Sequence, residues 1–407
     1  MLALLKMKID FWIKISTILF VIFSLTALIG FILFFVFSFS SSTTLKIPEI
    51  KGEKSLIVDS NKNFSNTLIN NDDKKIKIAF WGDLMIDRHV KTKIDKYGVD
   101  YLFTKIATSS QWQDAAASDL MIANLEGAVT DSGEHYPPTM AYDFAFVPER
   151  VAELKNYGFN AFTIANNHLA DQGENGIIET DKNLEKLGFF YFGCADRQTG
   201  KCSSAIKKIG NKNVGFVGAS MVYGQLDETE LLVAIKELAS NTDLTIVEIH
   251  WGTEYKHQFD KVQQDLAHKI VDAGADVIIG HHPHVVQGME IYEPKRATTN
   301  GAHANIKKGI IFYSLGNFIF DQYFSADTQE GLAVAITLTT NYSPVTAVAG
   351  EGSSSENVPL AHDDRNGRGA RGEGEGEITL FPIKSKSSQA QLMSGQEKEK
   401  FLNKTKV

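Results

Sequence analysis

From about residue 75 onward, short apolar runs alternate with amphipathic stretches. The runs, each bounded by polar or turn residues, lie at 76–81, 120–123, 161–165, 214–219, 244–249, 277–280 and 310–314. Helical patterns between them lie at 151–157, 176–187, 228–240 and 260–273. Strands that alternate with helices predict an α/β domain with buried sheets. Two later runs, 332–340 and 377–384, predict two further strands.

An uncharged, mostly apolar run of 25 residues, 15–39, precedes this pattern. As a helix it would extend ~37 Å, enough to cross a hydrocarbon core with some tilt. Its bulky end lacks the small residues of a cleavage site, which favours an uncleaved signal anchor over a long cleaved signal peptide. Lys6, Lys8 and Lys14 predict that residues 1–14 are cytoplasmic and that the body is extracytoplasmic. We therefore expect a single-pass protein of the cell membrane.

Composition divides the rest of the chain. Residues 40–74 are rich in Ser, Thr, Asn and Lys, which predicts a linker before an ordered domain at 75–385. Within that domain, Gly, Ser and alternating charges at 341–376 predict a disordered insertion, because such a segment buries too little apolar surface. Residues 386–407 are predicted to be a polar tail.

The net charge and the number of cysteines exclude some classes of function for this protein. The formal net charge is −8, so nucleic acid is not an expected partner, because phosphate neutralisation needs clustered positive charge. The two cysteines, Cys194 and Cys202, exclude a four-cysteine zinc ribbon. Both lie in the exported part, where an oxidising compartment permits a disulfide. The spacing leaves a disulfide and two free thiols as open alternatives.

Polar side chains of the kinds that bind metals follow five of the predicted strands. They are Asp83, Glu126, the pair Asn167-His168 with Asp171 nearby, His250, and the run His281-His282-Pro283-His284. In α/β folds, sites are built from the loops at the carboxyl ends of strands. Each group alone has a simpler explanation as a turn, a helix cap, a core histidine or a solvated loop. Together they predict a site for two divalent cations, with Mn, Fe and Zn as candidates.

Six motifs in order carry a resemblance to a known family: GDLM (82–85), ANLEG (123–127), ANNHLADQG (165–173), HWGTEY (250–255), GHHPHVVQ (280–287) and SLGNFIFDQ (314–322). The chain resembles the CapA/PgsA-type poly-γ-glutamate capsule synthesis proteins, which carry a PGA_cap domain and are related to calcineurin-like metallophosphoesterases. The resemblance covers residues 76–323. It implies a four-layer α/β/β/α metallophosphoesterase-like sandwich, here preceded by one transmembrane helix.

The resemblance also implies roles for matching residues. The implied metal ligands are Asp83, Glu126 and His284 for the first cation, and Asn167, His250 and His282 for the second, with Glu126 in the bridging position. The implied catalytic residues are His168, which assists the leaving group, and Asp171, which orients it. The implied substrate-binding residues are Glu254, Asn317 and Asp321. The chain departs from the phosphoesterase pattern at Met85, which replaces a histidine ligand, at Glu126, which replaces an aspartate, and at the extra His281.

We therefore expect a membrane-anchored component of capsule polymer biosynthesis, export or release. Its partners would be the polymer, the membrane, and membrane-bound synthase or export subunits. In the catalytic version, the cations activate water against a phosphoester or an amide, and His168 protonates the leaving group. One alternative is a non-catalytic polymer-binding or assembly subunit of the synthase. Another is a metallophosphodiesterase that acts on cell-envelope substrates.

Overall fold

The computed structural model describes residues 75–295, 308–338, 357–360 and 376–407. These residues form two β-sheets with helices on their outer faces. Within these ranges no helix is long and apolar enough to cross a bilayer. The predicted membrane helix at 15–39 and the predicted linker at 40–74 lie outside the described residues.

The strands are numbered in chain order through the described residues. The first sheet contains β1 (Ile76–Leu84), β2 (Leu120–Leu125), β3 (Ala161–Thr163), β4 (Phe190–Phe192), β11 (Asn317–Ile319), β12 (Glu330–Leu338), β13 (Asn357–Leu360), β14 (Gly376–Lys386) and β15 (Gln389–Leu392). The second contains β5 (Ser204–Ile209), β6 (Lys212–Ser220), β7 (Leu244–His250), β8 (Val277–His281), β9 (Met289–Tyr292) and β10 (Gly309–Phe312).

Each sheet has a parallel half that carries the predicted strand ends. In the first sheet, β1, β2, β3 and β4 pair in parallel, and β12 and β14 extend the other side antiparallel. In the second, β6, β7, β8 and β10 pair in parallel. The parallel registers align Asp83 with Asn124 and His250 with His281. Polar residues that are distant in sequence therefore become neighbours at the carboxyl ends of the strands.

Eight helices lie among the described residues: α1 (Arg88–Tyr97), α2 (Asp100–Phe103), α3 (Ser110–Ala116), α4 (Pro148–Glu153), α5 (Gly173–Leu187), α6 (Glu228–Ala239), α7 (Lys261–Ala273) and α8 (Gly395–Thr405). The predicted helical patterns coincide with α4 to α7 within a few residues. Side chains fix several helix starts, because the first backbone N–H groups have no partner inside the helix. Asp260, for example, accepts from the backbone N–H of Gln263 at 2.9 Å.

Three apolar clusters hold four layers together. The inner cluster joins the facing sides of the two sheets, with Phe80 of β1 and Phe216 of β6 fully buried. A second cluster packs helices such as α3 on the outer face of the first sheet, with Trp112 buried near Trp81. A third packs α6 and α7 on the second sheet through residues such as Leu231. The predicted helix–sheet–sheet–helix layering is therefore present in the described residues.

The C-terminal region differs from the sequence-based expectation. Residues 386–407, expected to be a polar tail, include β15 and helix α8. The helix buries Phe401, and Met393 before it is also buried, both in the inner cluster. The few, unevenly spaced apolar side chains of this polar segment give too weak a periodic signal to predict this packing. Within the expected disordered insertion, β13 pairs antiparallel with β14, and residues 341–356 and 361–375 lie outside the described residues.

Cys194 and Cys202 form a disulfide, with their Cα atoms 5.2 Å apart. The bond links the segment after β4 to the turn before β5, beside a backbone hydrogen bond from Gly193 to Cys202 at 2.8 Å. It resolves the alternatives that the sequence left open.

Two glycines allow the backbone to pack closely beside the strand ends. A Cβ atom at Gly82 would lie 1.9 Å from the carbonyl oxygen of Gly316, and one at Gly280 would lie 2.0 Å from that of Tyr313. Both obstacles are backbone atoms, so a side chain cannot be accommodated by a rotamer change. The residues that follow, Asp83 and His281, are positioned by this close approach.

We expect Gly280→Ala to lower the free energy of unfolding by about 1–3 kcal/mol, because the added methyl group must displace the backbone at Tyr313. Urea unfolding measures this change. Gly288→Ala is the matched control, since its Cβ would make an ordinary contact, 3.4 Å from the carbonyl oxygen of Thr405. Equal unfolding midpoints for Gly280→Ala and the control would contradict the prediction.

Candidate metal centre

The six residues predicted as metal ligands come together between the two sheets. They are Asp83 at the end of β1, Glu126 after β2, Asn167 after β3, His250 at the end of β7, and His282 and His284 after β8. All are buried, and the most exposed of them, Asn167, is 7% accessible. Five separate strand ends therefore contribute to one polar cluster in the interior.

The side chains form two groups, and within each group the ligand atoms lie within 4.8 Å of one another. The first group contains Asp83, Glu126 and His250, and the second contains Glu254, His282 and His284. The groups adjoin, because the rings of His250 and His282 are 4.9 Å apart and Nε2 of His284 is 3.7 Å from Oε1 of Glu126. Carboxylate and imidazole groups at such separations suit divalent transition metals.

Several ligand atoms in this cluster are buried without a hydrogen-bond partner among the described residues. They are Oε1 of Glu126, Oδ1 of Asn167, Nε2 of His250 and Nδ1 of His282. A buried polar atom without a partner costs free energy, and native proteins rarely leave one so. Here four occur among the six predicted ligands, and all four are atoms that bind cations. The donor set therefore fits divalent metal ions.

Hydrogen bonds keep Asp83 ionised. Burial alone would raise its pKa, but hydrogen bonds with His281 and His284 outweigh burial and hold the pKa well below its usual value. Nδ1 of His281 lies 3.1 Å from Oδ1 of Asp83, and Nδ1 of His284 lies 3.4 Å from Oδ2. Asp83 is therefore an anion that is held in place from both sides.

Three further ligands have shifts that favour a bound cation. His284 differs, because although burial alone would lower its pKa, the charge of Glu126 and a hydrogen bond with Asp83 raise it to about 9. Burial, reinforced by the neighbouring imidazole of His282, lowers the pKa of His250 well below its usual value. Burial and the charge of His284 lower the pKa of His282 to about 3. Both rings are therefore neutral near pH 7, with a lone pair available for a metal. Burial raises the pKa of Glu126 well above its usual value, so its anion needs a positive partner.

Hydrogen bonds also orient two histidines toward the cluster. Nδ1 of His168 lies 2.7 Å from Oδ2 of Asp171, and its Nε2 lies 3.8 Å from Oε1 of Glu126. Nδ1 of His284 lies 2.9 Å from Oδ1 of Asn317, which turns its Nε2 toward Glu126. In each ring one nitrogen is engaged by a fixed partner and the other faces the cluster. Such contacts set the tautomer and the direction of the ring.

The profile of the bacterial capsule synthesis protein family PGA_cap matches residues 77–322, more than half of the chain. The chain belongs to this family. It is 30% identical over 280 residues to the capsule biosynthesis protein CapA of Bacillus anthracis, and 30% identical over 278 residues to the PGA biosynthesis protein CapA of Bacillus subtilis. Each alignment covers 64% of this chain, and the two alignments span 64% and 67% of those relatives, about two thirds of their length.

Similarity to solved structures is weaker. A phosphatase of Mycoplasma pneumoniae is 14% identical, and the match covers 65% of this chain and 88% of that one. Its TM-score of 0.39 is too low to carry an argument about activity.

In this PGA_cap domain, Met85 occupies the place of a histidine ligand, and its sulfur is otherwise engaged. The side chain is fully buried, and Sδ accepts the backbone N–H of Asp87 at 3.0 Å. Through this hydrogen bond the sulfur stabilises the turn that precedes α1. The candidate ligands beside this sulfur are therefore the carboxylates and imidazoles of the cluster, among them Asp83, Glu126 and His250.

Four further polar residues, none of them among the six predicted ligands, belong to this cluster: Asn124, Asn166, Glu248 and His281. Nδ2 of Asn124 donates to Oδ1 of Asp83 at 2.9 Å and lies 3.2 Å from Nδ1 of His250. Asn166 in turn donates to Oδ1 of Asn124 at 3.0 Å. Asn124 lies in the motif ANLEG and Asn166 in the motif ANNHLADQG. Their position in these motifs was the sequence signal that could have identified them.

His281 lies between two buried carboxylates. Its Nδ1 is 3.1 Å from Asp83, and its Nε2 is 3.2 Å from Oε2 of Glu248. Burial alone would lower the pKa of His281, but hydrogen bonds with Asp83 and Glu248 raise it to about 9. The protonated ring can donate from both nitrogens and thereby fix the orientation of Asp83. The histidine that appears as an extra residue in the motif therefore supports a metal ligand.

The residues predicted to bind substrate occupy three different positions. Glu254 is exposed, and its carboxylate faces His282 and His284. Asn317 is buried and orients His284. Asp321 is buried and pairs with Arg88. Only Glu254 among the three combines an exposed side chain with contact to the cluster.

We expect His281→Ala to weaken Mn²⁺ binding about 10- to 100-fold, because Asp83 loses an orienting partner and Glu248 loses its hydrogen bond. Calorimetric titration with Mn²⁺ measures the affinity. His268→Ala is the control, since His268 of α7 pairs with Glu290 at 2.7 Å and not with the cluster. Wild-type affinity in His281→Ala would show that the ring does not position Asp83.

Proposed function

We propose that this protein is a membrane-anchored, extracytoplasmic component of the machinery that makes, exports or releases poly-γ-glutamate capsule, and that it carries a metal-dependent hydrolase-type site. Membership of the capsule synthesis family and the names of its two Bacillus relatives support the role in capsule formation. The observation that carries the hydrolase site is the cluster of buried, unpartnered ligand atoms on Glu126, Asn167, His250 and His282.

The proposed ligands form two sets that share one carboxylate. Asp83, Glu126 and His284 would hold one divalent cation, and Glu126, Asn167, His250 and His282 would hold the other; the candidate metals are Mn, Fe and Zn. When bound, such a pair of cations activates water and neutralises negative charge that develops on the scissile group. The protein contributes a rigid frame, because the ligands come from strand ends that are fixed by pairing in both sheets.

In this proposal His168 donates a proton to the leaving group. Oδ2 of Asp171, 2.7 Å from Nδ1, fixes the orientation of the ring. Asp171 is itself held by the backbone N–H of Phe144 at 2.8 Å. The ring of Phe144 lies 4.2 Å from that of His168 and limits the access of water on that side. Backbone, aromatic ring and carboxylate together set the direction of the proton donor.

The substrate bond is proposed to be an amide of the polymer or a phosphoester of a related envelope component. A γ-linked glutamate polymer contains amide bonds and one free carboxylate per residue. Cleavage of its amides would shorten or release chains during export. A phosphoester substrate would instead support the metallophosphodiesterase alternative.

The location is proposed from the uncharged run at 15–39, with residues 1–14 in the cytoplasm and the domain outside. The disulfide between Cys194 and Cys202 supports an oxidising compartment, because such bonds are rare in the cytosol. Membrane-bound synthase or export subunits are the proposed partners.

The alternative of a non-catalytic polymer-binding or assembly subunit is favoured by one observation. With Sδ of Met85 engaged by Asp87, the first cation has three candidate protein ligands in place of four. A weakly held first cation would leave a site that binds an anionic polymer but turns it over slowly.

Metal content and turnover separate these possibilities. We expect elemental analysis to find close to two divalent ions per chain in the wild type and a loss of both in His282→Ala/His284→Ala. His168→Ala should keep its metal but lose about 10²- to 10⁴-fold in turnover, because only the proton donor is removed. Turnover is measured as shortening of poly-γ-glutamate and as hydrolysis of bis(p-nitrophenyl) phosphate.

His268→Ala, whose ring pairs with Glu290, should match the wild type in both metal content and turnover. Metal content no higher in the wild type than in the double variant would overturn the hydrolase site. Full metal content without turnover of either substrate would favour the assembly subunit.

A further inference from the structure

Arg88 is held in an unusual conformation close to the proposed proton donor. It begins α1, immediately after Asp87, and has a φ of 50°, which non-glycine residues rarely adopt. Such backbone conformations persist where the surroundings hold them, and they concentrate at functional sites. The backbone N–H of Arg88 donates to Oδ1 of Asp87 at 2.7 Å, which helps to fix the turn.

A buried carboxylate holds the Arg88 side chain. Nε of Arg88 donates to Oδ2 of Asp321 at 3.0 Å, and Nη2 donates to Oδ1 of the same carboxylate. The Asp321 side chain is only 1% exposed, whereas that of Arg88 is 27% exposed. His89 also contacts Asp321, through its backbone N–H at 3.3 Å and its ring at 3.1 Å. Asp321 therefore lies behind the guanidinium and orients it toward solvent.

The guanidinium lies one aromatic ring away from His168. Its Cζ is 5.0 Å from the ring centre of Phe144, and that ring is 4.2 Å from the ring of His168. On the other side, Cζ is 6.0 Å from the ring centre of the exposed Tyr142. Contact with ring faces leaves the N–H groups at the edge of the guanidinium open to a ligand.

The chemistry of this arrangement selects an anion with two oxygens. Asp321 engages one edge of the guanidinium, and the other N–H donors remain for a second partner. A planar fork of donors matches a carboxylate or a phosphate by two parallel hydrogen bonds. A polymer with one carboxylate per residue would present such a group close to any amide bond that reaches His168.

We infer that Arg88 is a substrate-binding residue that takes a polymer carboxylate adjacent to the bond at His168, and that Asp321 is its positioning residue. This inference rests on the proposed function and specifies the substrate class for that site. It also gives Asp321 a different role from direct contact with substrate, since its carboxylate is buried against Arg88 and His89.

The test compares two fluorescent γ-linked decamers, one of glutamate and one of isoglutamine, in which each free α-carboxylate is replaced by a neutral α-carboxamide on the same backbone. Binding to the Mn²⁺-loaded full chain is measured by fluorescence anisotropy. We expect Arg88→Gln to weaken binding of the glutamate decamer about 10- to 100-fold, because a charge-assisted, two-point contact is lost. Binding of the isoglutamine decamer should not change.

Three further variants separate the role of Arg88 from its contribution to stability. Arg88→Gln/Asp321→Asn removes both charges, so that no buried carboxylate is left without its partner, and should lose the same preference for glutamate. Arg88→Lys should fall between the wild type and Arg88→Gln, since it keeps the charge but not the fork. Asp321→Asn should reduce binding of the glutamate decamer only, which a general loss of stability would not do.

Arg150→Gln is the matched control, because Arg150 is also partly exposed and pairs with Glu153 at 2.7 Å, but in α4. If Arg88→Gln and the double variant bind the glutamate decamer as tightly as the wild type does, the inference is overturned but the proposed function is not. No binding of either decamer by the Mn²⁺-loaded wild type would overturn both. Binding of glycerol phosphate that depends on Arg88, without such binding of the glutamate decamer, would assign the site to phosphate and overturn the carboxylate assignment.

Discussion

The burial of carboxylate and imidazole groups where the two sheets meet is the constraint on which the rest of the structure depends. Asp83, Glu126, His250 and His281 are each at most 1% exposed, in a setting where a charge without a partner is costly. Three apolar clusters supply the stability that offsets this cost. Within the cluster, the hydrogen bond between Asp83 and His281 satisfies both groups, and the unpartnered atoms of Glu126 and His282 are left for cations.

One arrangement recurs around this centre: a residue that faces the site is held from behind by a hydrogen-bonding partner. Asp171 holds His168, Asn317 holds His284, His281 holds Asp83, and Asp321 holds Arg88. Each partner fixes a direction that the side chain alone would not keep, because long polar side chains otherwise sample several rotamers. The arrangement extends from the proposed metal ligands to the surface at Arg88. The centre and its proposed substrate contact are therefore oriented in the same way, by a second side chain behind each functional one.

The sequence predicted the strand ends and most of the residues that meet there, because apolar runs followed by costly polar residues are a local signal. It could not predict which groups pair with one another. The contact of His281 with Glu248 depends on the register between β7 and β8, and that of Arg88 with Asp321 joins residues 233 positions apart. The polar composition around Phe401 likewise concealed a helix that packs on the inner cluster.

The departures from the phosphoesterase pattern lie mainly on one side of the centre. In the proposed two-cation site, the sulfur of Met85 is engaged by Asp87 on the side of the first cation, whereas Asn167, His250 and His282 leave ligand atoms unpartnered on the side of the second. Affinity at such sites rises with the number of well-placed ligands, so the second cation should bind first and more tightly. His281 lies on the weaker side and fixes Asp83 through a hydrogen bond. An oriented carboxylate partly compensates for a missing nitrogen ligand, because less freedom is lost when the cation binds. The extra histidine and the absent one are therefore best understood as linked features of the same centre.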